Sequence, residues 1–163
     1  MEFIEFSSKK YPKFQSEGNA SQFSIPFAKH FCKGYGYDIG FCKEEWKLPG
    51  ARGIDIALND GYDANNLPSD IWVDYIYSSH CLEHVDNWVE TLELWLTKLK
   101  PQGVLFLYLP DFSQTYWRPW NNRKHKHCFT VDIIRGFLED KGMKNIVVSG
   151  IDLNNSFMIV CKK

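Results

Sequence analysis

Two acids and a histidine pair stand out, because each follows a short apolar run at a point where a folded sheet meets its ligands. Asp38 opens Asp38-Ile39-Gly40-Phe41-Cys42 at the end of the run Tyr35 to Ile39, and Asp55 closes Gly53-Ile54-Asp55. In a doubly wound sheet, ligands bind beyond the carboxyl ends of the strands, near the point where strand order reverses. A carboxylate there can hold a cation or a donor, and Gly40 lets backbone N–H groups approach a ligand. An acid ending the second strand is placed to accept both ribose hydroxyls of a nucleoside cofactor. The 17 residues from Asp38 to Asp55 are close to the roughly 20 that this arrangement uses.

His80 opens His80-Cys81-Leu82-Glu83-His84, directly after another apolar run. A histidine titrating near neutrality suits removal of a proton from a hydroxyl or amine, which makes His80 the candidate catalytic residue. His84, one turn further on, reads as a helix N-terminal or supporting residue. The same five residues fit H-x-x-E-H, in which two histidines bind zinc and the Glu acts as base. That chemistry requires the motif to lie inside a helix, with a further carboxylate ligand on another helix. Between Phe112 and Val131 there is no acid, but Arg118, Arg123, Lys124 and Lys126 interleave with Tyr116, Trp117, Trp120, His125 and His127. Irregular stretches near twenty residues are uncommon in compact domains unless they act as lids or binding loops. Cations beside aromatic faces suit a phosphorylated, sugar or nucleobase group. Trp117, Arg118, Trp120, Arg123 and His125 are therefore the candidate substrate-binding residues. His125-x-His127-Cys128 lacks a fourth ligand nearby, so no metal is expected.

Apolar spacing gives the elements that must position these groups. Phe23, Pro26, Phe27, Ala28 and Phe31 predict a short helix from about Ala20 to Phe31, ending near Gly34. Strands are expected at Tyr35–Ile39, Gly53–Ala57 and Ile71–Tyr77. Leu82, Val85, Trp88, Val89, Leu92, Leu96 and Leu99 then recur at spacings of three and four, predicting an amphipathic helix that stops at Lys100-Pro101-Gln102-Gly103. Gly103–Leu109 is a near-continuous apolar run, as expected of a strand covered on both faces. A helix over Val131–Asp140, capped by Thr130, precedes strands near Ile146–Ser149 and Phe157–Cys161. Strands alternating with helices imply a mainly parallel sheet with helices on its faces. Residues 1 to 20 read as an arm with little core of its own.

From about Gly34 to Lys163 the chain resembles the class I S-adenosylmethionine-dependent methyltransferases. Gly36-Tyr37-Asp38-Ile39-Gly40 is similar to their glycine-rich first motif, and Gly53-Ile54-Asp55 to the acidic second. Asp63-Ala64-Asn65-Asn66-Leu67-Pro68 is similar to their D-A-x-x-L-P segment. Val73 to His84 resembles the fourth strand with its L-E-H signature, and Leu99-Lys100-Pro101-Gln102-Gly103 the L-K-P-x-G entry to the fifth. The resemblance implies S-adenosylmethionine as cofactor, held at Asp38, Gly40, Asp55, Asp63, Ala64 and Ser79, with ribose on Asp55 and adenine on Asp63 and the backbone of Ala64. Cys42 stands where these families usually carry a second glycine. Only eleven residues, Phe41 to Ala51, separate the first two strands, and no third strand is evident between Asp55 and Ile71. The expected fold is α/β and Rossmann-like, doubly wound and mainly parallel, with helices on both faces and an antiparallel C-terminal strand. Its first helix and third strand should be reduced or absent.

The chain has 163 residues, of which 44% are hydrophobic, which suits one globular domain. The expected layout is an N-terminal arm and helix over 1–33, then a core over 34–163 whose loop 111–130 serves as a substrate lid. Nineteen basic against twenty acidic residues give a net charge of −1, which excludes duplex nucleic-acid binding driven mainly by phosphates. A small-molecule, glycan or nucleotide-like acceptor is expected, with a nucleic acid possible but not favoured. No apolar stretch approaches the roughly 18 residues that would span a bilayer, so no membrane partner is expected. The odd count of five cysteines without a C-x-x-C pair reads as reduced thiols in a cytoplasm. The rival functions are a methyltransferase fold acting only as a binding module and an H-x-x-E-H zinc hydrolase.

Overall fold

The computed structural model describes residues 2–121 and 124–163. Strands β3 (Gly36–Ile39), β4 (Arg52–Ile54), β5 (Val73–Ser79) and β6 (Leu99–Pro110) are parallel, and β7 (Lys144–Val148) and β8 (Ser156–Lys162) complete a six-stranded sheet. Spatial order is β4-β3-β5-β6-β8-β7, with β8 antiparallel to both its neighbours. Chain order reverses between β3 and β5, so the sheet is doubly wound with its switch point there, as the sequence implied. Helix α2 (Ser21–Phe31) lies on one face, and α3 (Trp88–Lys98) and α4 (Val131–Asp140) on the other.

Alternation along the central strands explains why their sequences look uniformly apolar. Leu105, Leu107 and Leu109 of β6 join Leu92 and Trp95 of α3 and Ile134 and Leu138 of α4. Val104, Phe106 and Tyr108 face Ala28 and Phe23 of α2 in a second core. Both faces are covered, so each position from Val104 to Leu109 buries a large side chain.

The trimmed connections are as expected. The 41–51 segment holds only a 3₁₀ turn at Glu44–Trp46, and β4 is the sheet edge, with no further strand before β5. Two expectations need correction. The N-terminal arm, for which no strand was expected, contains a hairpin, β1 (Phe3–Phe6) and β2 (Lys9–Pro12), leading to a four-residue helix α1 (Phe14–Glu17). Ser7 and Ser8 take positive φ of 52° and 60°, the two-residue turn geometry that matches the twist of paired strands. The hairpin packs through Phe6 and Tyr11 onto Tyr116. In addition, the helix expected from Leu82 starts only at Trp88, where Asn87 Oδ1 accepts the Glu90 N–H. Leu82 and Val85 keep helical spacing because they enter the same core, but they sit on a 3₁₀ turn, Leu82–His84, and the link after it. Thr130 caps α4 as expected, its Oγ1 accepting the Ile133 N–H.

Candidate functional site

The carboxyl ends of β3, β4 and β5 open into a cleft of about 880 Å³. Its far wall is residues 14–21, between the hairpin and α2, and its roof is the loop after β6, through Tyr116, Trp117 and His125.

At the β3 end, Gly40 has φ +80° and donates its N–H to Ile54 O at 2.8 Å, tying the loop to β4. A Cβ on Gly40 would stand 2.5 Å from Cys81 Cβ and Sγ, so the two strand ends approach more closely than any side chain allows. Cys42 keeps a glycine-like left-handed backbone, φ +64°, with its side chain exposed. Its N–H donates to Asp55 Oδ2 at 2.8 Å, while Asp55 Oδ1 accepts the Ala57 N–H at 2.8 Å. Each carboxylate oxygen retains a lone pair for a further donor. Asp38 is buried, and its Oδ2 accepts the Leu48 N–H at 2.6 Å. Burial pushes its carboxyl up to about 7 against the Leu48 N–H and Lys47, which favour the charged form. Ser79 Oγ is buried at the end of β5 with no hydrogen-bond partner among the described residues.

The other half of the cleft is built around Glu83, whose side chain is fully buried. Its Oε1 lies 3.4 Å from His80 Nδ1, 3.7 Å from His84 Nε2 and 4.0 Å from His125 Nε2. His80 has a left-handed backbone, φ +49°, and its Nε2 is 2.9 Å from Ser156 Oγ. Burial, then the neighbouring His125 and His84, hold its imidazole down to about 3, far from the near-neutral value expected from sequence. Burial likewise lowers His125 to about 3 and pushes the Glu83 carboxyl up to about 7. Trp117 stacks on His125, ring centroids 5.2 Å apart and planes within 8°.

Of the residues expected at the site, Asp38, Gly40, Asp55, Ser79, His80, Trp117 and His125 line one cleft. Asp63 and Ala64 do not; they form a tight turn beyond β4, where Asp63 Oδ1 accepts the Asn65 N–H and Ala64 O accepts Trp95 Nε1–H. Arg118 and Trp120 also stand outside the cleft. Arg118 donates its Nε–H to Phe112 O and lays its guanidinium over the Phe112 and Trp120 rings, so this cation is satisfied within its own loop. Arg123 lies outside the described residues. The helix that a zinc-peptidase reading of His80–His84 requires is not formed. Sequence reasoning assigned no site role to Gln15, which is buried at the cleft wall with its Oε1 accepting from Gln114 Nε2. Nothing in a polar N-terminal stretch marks such a contact beforehand.

Residues 18–148 match a family model described as a methyltransferase domain. Among solved structures, the chain is similar to a SAM-dependent methyltransferase from Archaeoglobus fulgidus, with a TM-score of 0.66 and 18% identity over 92% of this chain and 98% of that one. A SAM-dependent methyltransferase from Thermotoga maritima gives a TM-score of 0.70 and 17% identity over 88% and 87% of the two chains. The N-methyltransferase NodS from Bradyrhizobium japonicum, solved with S-adenosyl-L-homocysteine, gives 0.65 and 13% over 93% and 88%. No curated protein matches the sequence.

Proposed function

Since the chain belongs to the methyltransferase-domain family, we propose that it transfers a methyl group from S-adenosylmethionine to a small-molecule or glycan acceptor bound in the cleft. The observation that carries this reading is the convergence of the Gly40–Cys42 loop and Asp55 on one end of the cleft and of His80, Trp117 and His125 on the other. The cofactor supplies an electrophilic methyl on a sulfonium. Asp55 has lone pairs left for the ribose hydroxyls, and the close approach of β3 and β5 at Gly40 leaves backbone within reach of the methionine part. Asp38 and Ser79 stand at that same end; the adenine reaches the turn at Asp63 and Ala64 only by extending past the cleft edge, beyond β4.

His80 holds the nucleophile in line with the methyl, where placement within about 3–3.5 Å supplies most of the acceleration. Trp117 and His125 offer flat faces to the acceptor. A concave cleft of this size, on a chain of net charge −1, favours a compact acceptor over duplex nucleic acid. The reading takes the chain as one such domain, with residues 1–33 and the loop 111–130 on the acceptor side. No helix among the described residues is long and apolar enough to cross a membrane; the odd count of five cysteines without a C-x-x-C pair favours a cytoplasmic setting. Calorimetric titration with S-adenosylmethionine and S-adenosylhomocysteine tests the reading. Saturable binding of one ligand per chain is expected, and no heat at millimolar ligand would leave a non-catalytic binding module.

A further inference from the structure

We propose that Glu83, His84 and His125 form a binding site for a divalent transition-metal ion, zinc in the first instance, on the acceptor side of the cleft. One ligand atom from each residue lies within 4.8 Å of the other two. From that span, small side-chain rotations bring all three to the roughly 2.0–2.2 Å of zinc–nitrogen and zinc–oxygen bonds.

Three observations carry the site. The first is the carboxylate. Glu83 is fully buried, and neither of its oxygens has a hydrogen-bond partner in another of the described residues. A buried carboxyl group is costly unless it is paired, hydrogen-bonded or bound to a metal. The His84 and His125 Nε2 atoms stand 3.7 and 4.0 Å from its Oε1, too far for hydrogen bonds but spaced to share an ion with it.

The second is the tautomer of His84. Its Nδ1 is 2.7 Å from Lys124 O, and a carbonyl only accepts, so Nδ1 carries the hydrogen. The lone pair is therefore on Nε2, the atom that faces Glu83. A ring N–H bonded to a backbone carbonyl is the contact that commonly fixes the tautomer of a metal-bound histidine.

The third is the bracing of the two segments that bring the ligands together. The backbone N–H groups of Lys126 and His127 donate to Glu83 O at 2.7 and 3.3 Å, joining the loop that carries His125 to the turn that carries Glu83 and His84. Trp117 stacks on the outer face of this cluster through His125.

Two imidazoles and one carboxylate suit zinc and its first-row neighbours; magnesium and calcium prefer all-oxygen shells. The set differs from the zinc-peptidase pattern, since Glu83 is a ligand here and His125 takes the place of His80. Three protein ligands leave coordination open, and both histidines border the cleft. An oxygen donor of the acceptor, or water, completes the shell; this part rests on the methyltransferase reading, whereas ion binding does not.

The test titrates Zn²⁺, and Co²⁺ followed by its visible absorption, into full-length chelator-treated protein that carries no histidine tag. One ion per chain should bind. His84→Gln and His125→Gln should each lose more than the 10- to 100-fold in affinity that an outer contact costs. His30→Gln, on the exposed side of α2, should bind like wild type. S-adenosylhomocysteine titrated into the same samples reports the cofactor site separately and shows that the variants are folded. Failure of wild type to bind one ion, affinity unchanged in both cluster variants, or an equal loss in His30→Gln would each overturn the site, whatever the cofactor titration gives.

Discussion

Cys42 donates its backbone N–H to Asp55 Oδ2 at 2.8 Å from a left-handed conformation. The first-motif loop thus has its glycine geometry without the glycine, and it is fastened to the acid assigned to ribose. A non-glycine residue in this region costs about 1–2 kcal/mol, and a new glycine returns about 0.4–1 kcal/mol of that to the unfolded chain. Cys42→Gly should therefore be between neutral and about 1 kcal/mol more stable in chemical denaturation, with cofactor affinity equal or tighter. A marked loss of affinity would show that the thiol contributes to binding.

Gly40 predicts the opposite behaviour. Its φ of +80° and the 2.5 Å approach to Cys81 leave no room for a methyl group. Gly40→Ala should cost more than about 1 kcal/mol of stability and weaken cofactor binding at least tenfold. A variant as stable and as tight as wild type would mean that the two strand ends are looser than described.

Asp38 sets a pH dependence. Its folded value of about 7 lies above the unfolded carboxylate value near 3.9. Below about pH 4 the group is protonated in both states. Between about 4 and 7 the unfolded chain ionises first, so stability falls as pH rises, and above about 7 this contribution is flat. Denaturant midpoints measured from pH 4 to 8 should show a downward component in wild type that Asp38→Asn removes, since the amide oxygen still accepts the Leu48 N–H. An unchanged profile in the variant would assign the component elsewhere.

Trp117 and Arg118 are neighbours in sequence but not in role. Trp117 stacks on His125 within the cleft, whereas Arg118 is held by Phe112 and Trp120 outside it. With an acceptor found by methyl-transfer screening, Trp117→Ala should raise its KM about 2- to 10-fold, in line with aromatic-pair energies. Arg118→Ala should leave it within about twofold. Steady-state kinetics with equal effects would return the arginine to the site.

The end of the cleft proposed for the cofactor was legible because its signals are local. Asp38, Gly40 and Asp55 follow strands whose two-sided burial makes them conspicuous apolar runs, and the loop lengths between them announce the missing helix and strand. The acceptor half depends on contacts between distant segments. Glu83 and His125 meet only because backbone bonds tie the loop after β6 to the turn after β5, and no spacing rule connects residues so far apart. The placing of Arg118 outside the cleft was not legible for a related reason. Composition shows that cations and rings are close in sequence, but not that they will bind each other. The hairpin was missed because Phe3 to Pro12 alternates weakly and its Ser7-Ser8 turn lacks the usual Asn or Gly.

The measurement nearest the central claim is the affinity for S-adenosylhomocysteine of wild type against Asp55→Asn. The amide keeps one oxygen, so it can hold either the Cys42 or the Ala57 N–H but not both, and it loses the charge and one of the two oxygens offered to the ribose. A hydrogen bond to a charged group is worth about 1.5–3 kcal/mol, so the account predicts a roughly 10- to 100-fold loss of affinity in a variant that still unfolds cooperatively. Equal affinity in the two proteins would contradict the placement of the cofactor at this end of the cleft.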